Sequence, residues 1–273
     1  MIKAYAKANL ILKVVGKNEF NYHLLQMLNV RINIYDEIEV KKINRKKDQI
    51  RFLNSTLSFK KDTLVLDVLQ YFKEYFGIQD CFEIVITKNI PIGAGLGGGS
   101  CDVGAILNYL SHIYHVNVFE DDFIYHLKQF GADILYALYM EPCIVEGIGD
   151  KITITKFRFN QEFIYIYPNI IASTKEVFKN NKVFHQKMSH RELIDSIEKK
   201  GIYAFNNDLE EACEQTYPKF KTIIDEIRTF GHATMSGSGS SILLFCEEVD
   251  KTYDELTKKY VDFYIKKVRL VEE

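Results

Sequence analysis

The sequence predicts an α+β protein with two lobes. Stretches in which apolar and polar residues alternate are interleaved with stretches in which apolar residues recur every three or four positions. A glycine-dense loop, residues 91–100, joins a predicted strand to a predicted helix. At ~150 residues per domain, 273 residues form one large or two moderate domains. We place the lobes at residues 1–155 and 156–273.

The first lobe is predicted to combine alternating strands with amphipathic helices. Half-buried strands require one apolar and one polar face, which is the pattern of residues 30–40 and 82–86. Apolar residues at helical spacing, with Gly77 ending the first segment, predict four helices. These are residues 63–76, 103–114, 121–130 and 133–139. Two short strands around Gly147 and Gly149 follow and end near residue 155.

The second lobe is predicted to begin with the apolar strand 163–167. Ser189 and Glu192 form an S-x-x-E capping box at the start of a helix. The predicted helices of this lobe are 192–199, 208–217, 220–230 and 253–260. The remaining predicted strands are 232–235, 241–246 and 263–270, with a Gly/Ser turn at 236–240 between the first two.

Charge and composition exclude several classes of protein. Thirty-five Lys and Arg against 37 Asp and Glu give a net charge of -2, which provides no overall cationic field for nucleic acid or an anionic membrane. No apolar run of about 18 residues is present, so we expect neither a membrane span nor a signal peptide. Five separated cysteines without C-x-x-C favour reduced core thiols. We therefore expect a cytoplasmic protein.

The strongest chemical signal is the loop that begins at Pro91 and ends at Ser100. It has five glycines in seven positions, between a strand and a helix. Glycine permits positive φ and lets backbone N–H groups approach an anion, and a helix N-terminus adds partial positive charge. A tight turn needs only one or two glycines, so the pattern predicts a phosphate-binding loop.

Two other phosphate loops are disfavoured. A Walker A loop ends in Gly-Lys-Ser/Thr, which is absent here. Gly93-x-Gly95-x-x-Gly98 matches the dinucleotide fingerprint, but the strand before it alternates, and the acidic residues 120–122 open a helix instead of ending a strand. A dinucleotide loop, and with it a nicotinamide oxidoreductase, is therefore the less favoured interpretation.

Five stretches together resemble the GHMP small-molecule kinases. Residues 91–102 (Pro-x-Gly-Ala-Gly-Leu-Gly-Gly-Gly-Ser-x-Asp) resemble the phosphate loop of that family. Residues 6–10 (Ala-Lys-Ala-Asn-Leu) with Tyr-His at 22–23 are similar to an N-terminal signature within it. Gly-Ala-Asp at 131–133 resembles its catalytic segment, and 235–241 resemble its C-terminal glycine loop. The resemblance extends from residue 6 to residue 246.

The resemblance implies a two-lobed GHMP kinase fold, with an N-terminal βα lobe of a kind shared with ribosomal proteins and a ferredoxin-like C-terminal lobe. It implies ATP, carrying Mg²⁺, as the phosphoryl donor. The N-terminal signature implies phosphorylation of the 2-hydroxyl of 4-diphosphocytidyl-2-C-methyl-D-erythritol in non-mevalonate isoprenoid synthesis. We further expect a small-molecule substrate, no nucleic acid or membrane partner, and a monomer or homodimer.

The resemblance also assigns roles to single residues. Asp133 matches the catalytic aspartate that takes the hydroxyl proton, and Lys7 matches the lysine beside the hydroxyl and the transferring phosphate. The ATP-binding positions are Pro91, Ile92, Gly93, Ala94, Gly95, Leu96, Gly97, Gly98, Gly99, Ser100 and Cys101. The substrate-binding positions are Asn9, Tyr22, His23, Thr174 and Phe178. Aromatic rings such as Tyr22 and Phe178 can stack on a pyrimidine.

Four positions depart from the family pattern. Asn21 replaces a glycine before Tyr-His, and because Asn tolerates positive φ we expect it to keep the turn. Leu24 replaces a glutamate, Cys101 replaces a serine of the phosphate loop, and Leu135 begins the replacement of a Pro-Phe pair. None of them removes the lysine, the aspartate or the glycines.

Two further hypotheses remain open at the level of the sequence. Another GHMP kinase, acting on mevalonate or homoserine, would share the phosphate loop. A non-catalytic RNA-binding protein would use the basic run 41–47 as its contact, although a solvated hairpin end explains that run more simply.

Overall fold

The computed structural model describes residues 1–55, 63–139 and 141–271. The described chain forms two compact units. The first consists of Met1–Lys7, Ile34–Ile90 and Gly97–Met140, and the second of Ala8–Asn33, Pro91–Leu96 and Glu141–Glu273. The long strands β1 (Ile2–Lys17) and β2 (His23–Ile43) therefore each contribute residues to both units. The boundary between residues 155 and 156 stays a prediction.

The sheet of the first unit uses the C-terminal part of β2. Strand β4 (Cys81–Thr87) pairs antiparallel with β2 from Glu37 opposite Thr87 to Ile43 opposite Cys81. On its other side β4 pairs in parallel with β3 (Gln49–Leu53). The alternating burial of β4 confirms that its apolar residues form one face of a strand.

The helices of the first unit are α1 (Leu64–Phe76), α2 (Gly98–Tyr114), α3 (Asp121–Leu127) and α4 (Ala132–Tyr139). Helix α1 confirms its prediction closely and ends at Gly77, whose φ of 70° suits glycine. Helix α2 begins earlier than predicted, because glycines 98 and 99 continue the helical backbone instead of belonging to the loop. The predicted helix 121–130 ends at Leu127 and continues as one 3₁₀ turn.

The second unit contains a four-stranded antiparallel sheet in the order β11-β7-β10-β9. These strands are β7 (Phe163–Tyr167), β9 (His232–Met235), β10 (Ile242–Phe245) and β11 (Tyr264–Val268). From one edge of the sheet to the other, these are the fourth, first, third and second strands of the four along the chain. Helices follow the first and the third, which is the βαββαβ arrangement of a ferredoxin-like lobe. The predicted ferredoxin-like lobe is confirmed.

The helices of the second unit are α5 (Thr174–Asn180), α6 (His190–Lys200), α7 (Glu210–Thr216), α8 (Pro218–Ile227) and α9 (Val249–Lys259). The capping box of Ser189 and Glu192 is present at α6 as predicted.

The short strand β8 (Asn206–Asn207) pairs with β1, and β5 (Cys143–Gly147) pairs with both β2 and β6 (Lys151–Ile154).

Candidate active site

The glycine loop has the backbone that the sequence predicts. Gly93, Gly95 and Gly97 have φ of 74°, 74° and 65°, a region that residues with a Cβ rarely adopt. Gly97 is the residue before α2, and its carbonyl accepts the N–H of Cys101 at 2.8 Å. The first N–H groups of a helix have no acceptor within it, so the start of α2 presents backbone donors suited to an anion.

In the first unit, the two predicted catalytic residues lie beside Gly97. The Nζ of Lys7, on β1, is 3.4 Å from Oδ2 of Asp133, in the first turn of α4. A Cβ added to Gly97 would lie 3.5 Å from that same oxygen and 3.7 Å from Cε of Lys7. The structure therefore brings the lysine, the aspartate and the end of the glycine loop together.

Lys7 and Asp133 differ in their access to solvent. The side chain of Lys7 is 6% exposed, whereas that of Asp133 is 39% exposed. In such a pair the accessible carboxylate can contact a reacting group, while the buried lysine keeps its position. Such an arrangement suits phosphoryl transfer, which depends on alignment and on neutralisation of charge.

Close contact between α2 and α4 fixes Asp133 relative to the start of α2. At Gly104 the two helices approach so closely that an added Cβ would lie 2.4 Å from the carbonyl oxygen of Ala137. Leu135 is buried, so the helix continues without disruption past Asp133 despite the departure from the family pattern. The contact makes the position of Asp133 a consequence of helix packing.

Cys101 is a buried residue of α2. Burial raises the pKa of its thiol to about 12, so the group remains a neutral thiol at physiological pH. Cys101 consequently adds no negative charge where the loop meets α2.

In the second unit, residues 91–96 contact the C-terminal glycine loop. The hydroxyl of Ser241 donates to the carbonyl of Ala94, and the Tyr167 hydroxyl donates to the carbonyl of Ile92 at 3.3 Å. A Cβ on Gly95 would lie 3.4 Å from the carbonyl oxygens of Ser236 and Gly239. The two glycine-rich segments that the sequence singled out are therefore packed on each other.

Asn9 is buried at the same glycine loop. Its backbone N–H donates to the hydroxyl of Ser236 at 2.9 Å, and its side-chain amide donates to Oδ1 of Asn29. It is 1% exposed. These contacts hold Asn9 in one orientation within β1, while its predicted role in binding substrate stays a prediction.

An aromatic cluster surrounds His23 in the second unit. The ring of Phe178 lies 5.1 Å from the His23 ring between centroids, and that of Phe184 lies 6.1 Å away and nearly parallel. Burial and the charge of Lys17 lower the pKa of His23, so the imidazole is neutral near pH 7. Within the described chain, its Nε2 is buried without a hydrogen-bond partner.

The other two predicted substrate residues, Tyr22 and Thr174, have other surroundings. Tyr22 is 65% exposed, and among the described residues no ring is stacked on it. Asn21 has φ of 64°, which confirms that it keeps the predicted turn. Thr174, at the start of α5, shares a hydrogen bond of 2.8 Å with Ser238 of the C-terminal glycine loop.

Phe184 was not predicted from the sequence. It lies outside helices and strands, and among 19 phenylalanines nothing in the local sequence marks it. His185 beside it donates its N–H to the carbonyl of Val14 at 2.8 Å, and its ring contacts Asp208. These hydrogen bonds fix the position of residues 184–185. The contact between Phe184 and His23 therefore depends on tertiary structure and not on a local sequence pattern.

The basic run 41–47 includes the end of β2 and the turn after it. Lys41 and Lys42 form ion pairs with Glu39 at 3.3 Å and Asp80 at 2.7 Å. Paired surface lysines of this kind are typical of a solvated surface. The predicted hairpin end is wrong, because β2 and β3 do not pair with each other and β4 lies between them in the sheet. Among residues 1–55, 63–139 and 141–271, no helix is long and apolar enough to cross a membrane.

The chain matches two protein families along its length. Residues 63–140 match the family described as the GHMP kinases N terminal domain, and residues 191–262 match the GHMP kinases C terminal family. These two matched segments lie on either side of the predicted boundary at residue 155.

Curated relatives are similar over nearly their whole length. The chain is 34% identical over 277 residues to the 4-diphosphocytidyl-2-C-methyl-D-erythritol kinase of Clostridium botulinum strain Eklund 17B, covering 97% of this chain and 98% of the relative. The enzyme of the same name from Clostridium beijerinckii is 33% identical over 283 residues, with the same shares covered.

Solved structures share the fold. A crystal structure of 4-(cytidine 5'-diphospho)-2C-methyl-D-erythritol kinase superposes with a TM-score of 0.81 at 22% identity, covering 97% of this chain and 98% of the other. Methanococcus jannaschii mevalonate kinase gives a TM-score of 0.65 at 18% identity, covering 99% and 98%. At these identities the likeness concerns the fold.

Proposed function

The chain belongs to the GHMP kinase family, and we propose that it transfers the γ-phosphoryl group of ATP to the 2-hydroxyl of 4-diphosphocytidyl-2-C-methyl-D-erythritol, a step of non-mevalonate isoprenoid synthesis. The near full-length similarity to curated relatives of that name supports the choice of acceptor. The observation that carries the chemistry is the placement of Lys7 and Asp133 beside Gly97.

ATP is proposed to bind through the backbone of the glycine loop. The positive φ of Gly93, Gly95 and Gly97 and the backbone N–H groups of the first turn of α2 support this role. The full set of proposed ATP-binding residues is Pro91 to Cys101. ATP enters as its Mg²⁺ complex, because Mg²⁺ in kinases is held largely by substrate phosphates.

Asp133 is the proposed proton acceptor. As the acceptor hydroxyl oxygen forms its bond to the γ-phosphorus and the bond to the β–γ bridging oxygen breaks, the hydroxyl proton passes to the Asp133 carboxylate. Lys7, held 3.4 Å from that carboxylate, orients it and offsets negative charge on the transferring group. The two residues thus act on the same atoms, and the contribution of each depends on the other.

The cytidyl end of the acceptor is proposed to bind at His23. The unpartnered Nε2 of the neutral imidazole can meet the polar edge of cytosine, and the rings of Phe178 and Tyr22 offer faces for stacking. Asn9 and Thr174 complete the proposed substrate residues. Both lie against the C-terminal glycine loop, whose packing fixes their orientation.

The proposed enzyme is cytoplasmic and acts as a monomer or homodimer without a nucleic acid or membrane partner. The net charge of -2 supports this setting because it provides no general attraction for polyanions. The lobe boundary near residue 155 is part of the same proposal, and the positions of the two family matches support it.

A coupled assay of ADP release with three acceptors tests the proposal. The cytidyl substrate should give turnover that mevalonate and homoserine do not, and Asp133→Asn should serve as the inactive control in each arm. Turnover with mevalonate or homoserine would assign the chain to another GHMP kinase. If ADP were released at the same rate with and without an acceptor, the proposal of phosphoryl transfer to an acceptor would be contradicted.

A further inference from the structure

Three charged side chains are buried together in the first unit, away from the Lys7–Asp133 pair. Nζ of Lys88 lies 2.6 Å from Oδ2 of Asp102 and also contacts Oδ2 of Asp36. Their exposures are 5%, 1% and 0% respectively. Burying charges is costly unless they are paired and hydrogen-bonded, so a buried group of this kind calls for a specific role.

This ion cluster, Lys88, Asp36 and Asp102, holds the chain on both sides of the phosphate loop. Oδ1 of Asp36 accepts the N–H of Ile90 at 2.8 Å and that of Asn89, the two residues before Pro91. Asp102 lies in α2, four residues after its start at Gly98. A Cβ added to Gly98 would lie 3.5 Å from Nζ of Lys88, so the cation lies directly beside the first residue of that helix.

The charge state of the cluster follows from its burial. Burial opposes the positive charge of Lys88, but attraction to Asp102 and Asp36 outweighs it and raises its pKa. Burial raises the pKa of Asp102 to about 8; attraction to Lys88 offsets part of that effect, and repulsion from Asp36 adds to it. Oδ1 of Asp102 is buried and, within the described chain, has no hydrogen-bond partner. A protonated Asp102 therefore leaves the cluster without net charge.

The described elements around this carboxyl group carry the following charges. Lys88 follows β4 and Asp36 belongs to β2, and both contact Asp102 directly. Of the two helices packed on α2, α1 carries Asp67 in its first turn and α4 carries Asp133. Asp67 accepts a hydrogen bond from the threonine that precedes α1, and Asp133 pairs with its lysine on β1.

We propose that Asp102 is a positioning residue for nucleotide binding, and that it carries a proton whenever the phosphates of ATP occupy the start of α2. The buried Lys88 lies beside Gly98 at the start of α2, and Asp36 balances its charge. Ionised Asp102 would therefore give the cluster a net negative charge beside that helix terminus. This inference rests on the proposed function only in taking ATP as the ligand of the glycine loop.

The sign of the pH dependence follows directly. Below a pKa of about 8 Asp102 is neutral, and above it the buried carboxylate repels the phosphates, so ATP affinity falls as pH rises through this value. If ATP binding strictly requires the proton, ATP affinity falls tenfold for each pH unit above the pKa. Between about pH 7 and about pH 9.5 we therefore expect ATP affinity to fall about thirtyfold, or about threefold if the requirement is partial. The terminal phosphate of ATP, with a pKa near 6, is already ionised across this range.

Calorimetric titration with MgATP, in two buffers of different ionisation enthalpy at about pH 8.5, counts the protons taken up on binding. The wild-type protein should take up more than about half a proton per ATP, and Asp102→Asn none, because the amide mimics the protonated carboxyl. Asp102→Asn should also keep its ATP affinity at high pH.

Asp48→Asn is the matched control. Asp48 is a half-buried aspartate of the same unit that pairs with Lys73 at 2.7 Å and accepts the N–H of Phe82. It has no contact with the ion cluster among the described hydrogen bonds, so this variant should take up protons as the wild type does.

The outcomes separate the inference from the proposed function. ATP binding by the wild type without proton uptake overturns the inference alone, and this measurement does not depend on whether any variant folds. Equal proton uptake by wild type and folded Asp102→Asn overturns it as well. Absence of ATP binding at every pH overturns the proposed function and this inference with it.

Discussion

Replacing Gly104 by alanine is expected to slow the proposed kinase without removing its nucleotide site. A Cβ at this position would lie 2.4 Å from the carbonyl oxygen of Ala137 and 2.8 Å from its Cβ. Ordinary Cβ contacts begin near 3.4 Å, so α2 and α4 must separate by about 1 Å to admit the methyl group. Asp133 lies at the start of α4 and would move with it.

The size of the effect follows from this displacement. Overpacking of a well-packed contact costs ~1–3 kcal/mol of folding free energy. Misplacing a catalytic group by ~1 Å can cost ~10²-fold in rate. We therefore expect Gly104→Ala to lower kcat by about 100-fold, while the affinity for ATP changes by less than about threefold because the amides at the start of α2 are retained.

The assay combines denaturant unfolding with steady-state kinetics, and Gly231→Ala provides the matched control. A Cβ at Gly231 would lie 2.3 Å from the carbonyl oxygen of Phe245, a similar clash at a position without a proposed role. It should lose comparable stability and keep its kcat. A wild-type kcat in folded Gly104→Ala would refute the argument that packing of α2 on α4 sets the position of Asp133.

Three further predictions concern the proposed site. Gly97→Val should abolish ATP binding, measured by calorimetry on folded protein, because a β-branched residue cannot hold a φ of 65° and its side chain would meet Asp133 and Lys7. Tyr22→Ala should raise KM for the cytidyl substrate and leave KM for ATP unchanged; an equal rise in both would make Tyr22 a packing residue. Asp133→Asn should lower kcat ~10²–10⁴-fold with little change in KM, and combining it with Lys7→Met should cost scarcely more than the poorer single variant. Strictly additive losses in that double variant would show that the two residues do not act as a unit.

Local sequence signals located most elements but not all of them. The caps of α1 and the capping box of α6 gave helix bounds that the structure reproduces closely. Strand β1 was not predicted, because its central residues are buried on both faces, the polar Lys7 and Asn9 included, so burial does not follow an alternation of apolar and polar residues. The seven-residue α5 is too short to show a helical period.

The proposed site was predictable only where a linear motif marks it. Lys7 and Asp133 were assigned from separate motifs, and the structure brings them to 3.4 Å. Lys88 and Asp36 carry no such signal, because their pairing joins residues 52 positions apart and depends on the register of β2 with β4. Phe184 was missed for the same reason. Contacts that arise only from tertiary packing produce no pattern in the spacing of residues along the sequence.

Identification of the phosphorylated product tests the central claim most directly. The protein is incubated with MgATP and 4-diphosphocytidyl-2-C-methyl-D-erythritol, and phosphorus NMR with mass analysis locates the transferred group. We expect one new phosphate monoester on the 2-hydroxyl of the acceptor, formed in equal amount with ADP and at least about 100-fold more slowly with Asp133→Asn. An unmodified acceptor, or a phosphate ester formed on mevalonate or homoserine in parallel incubations, would contradict it.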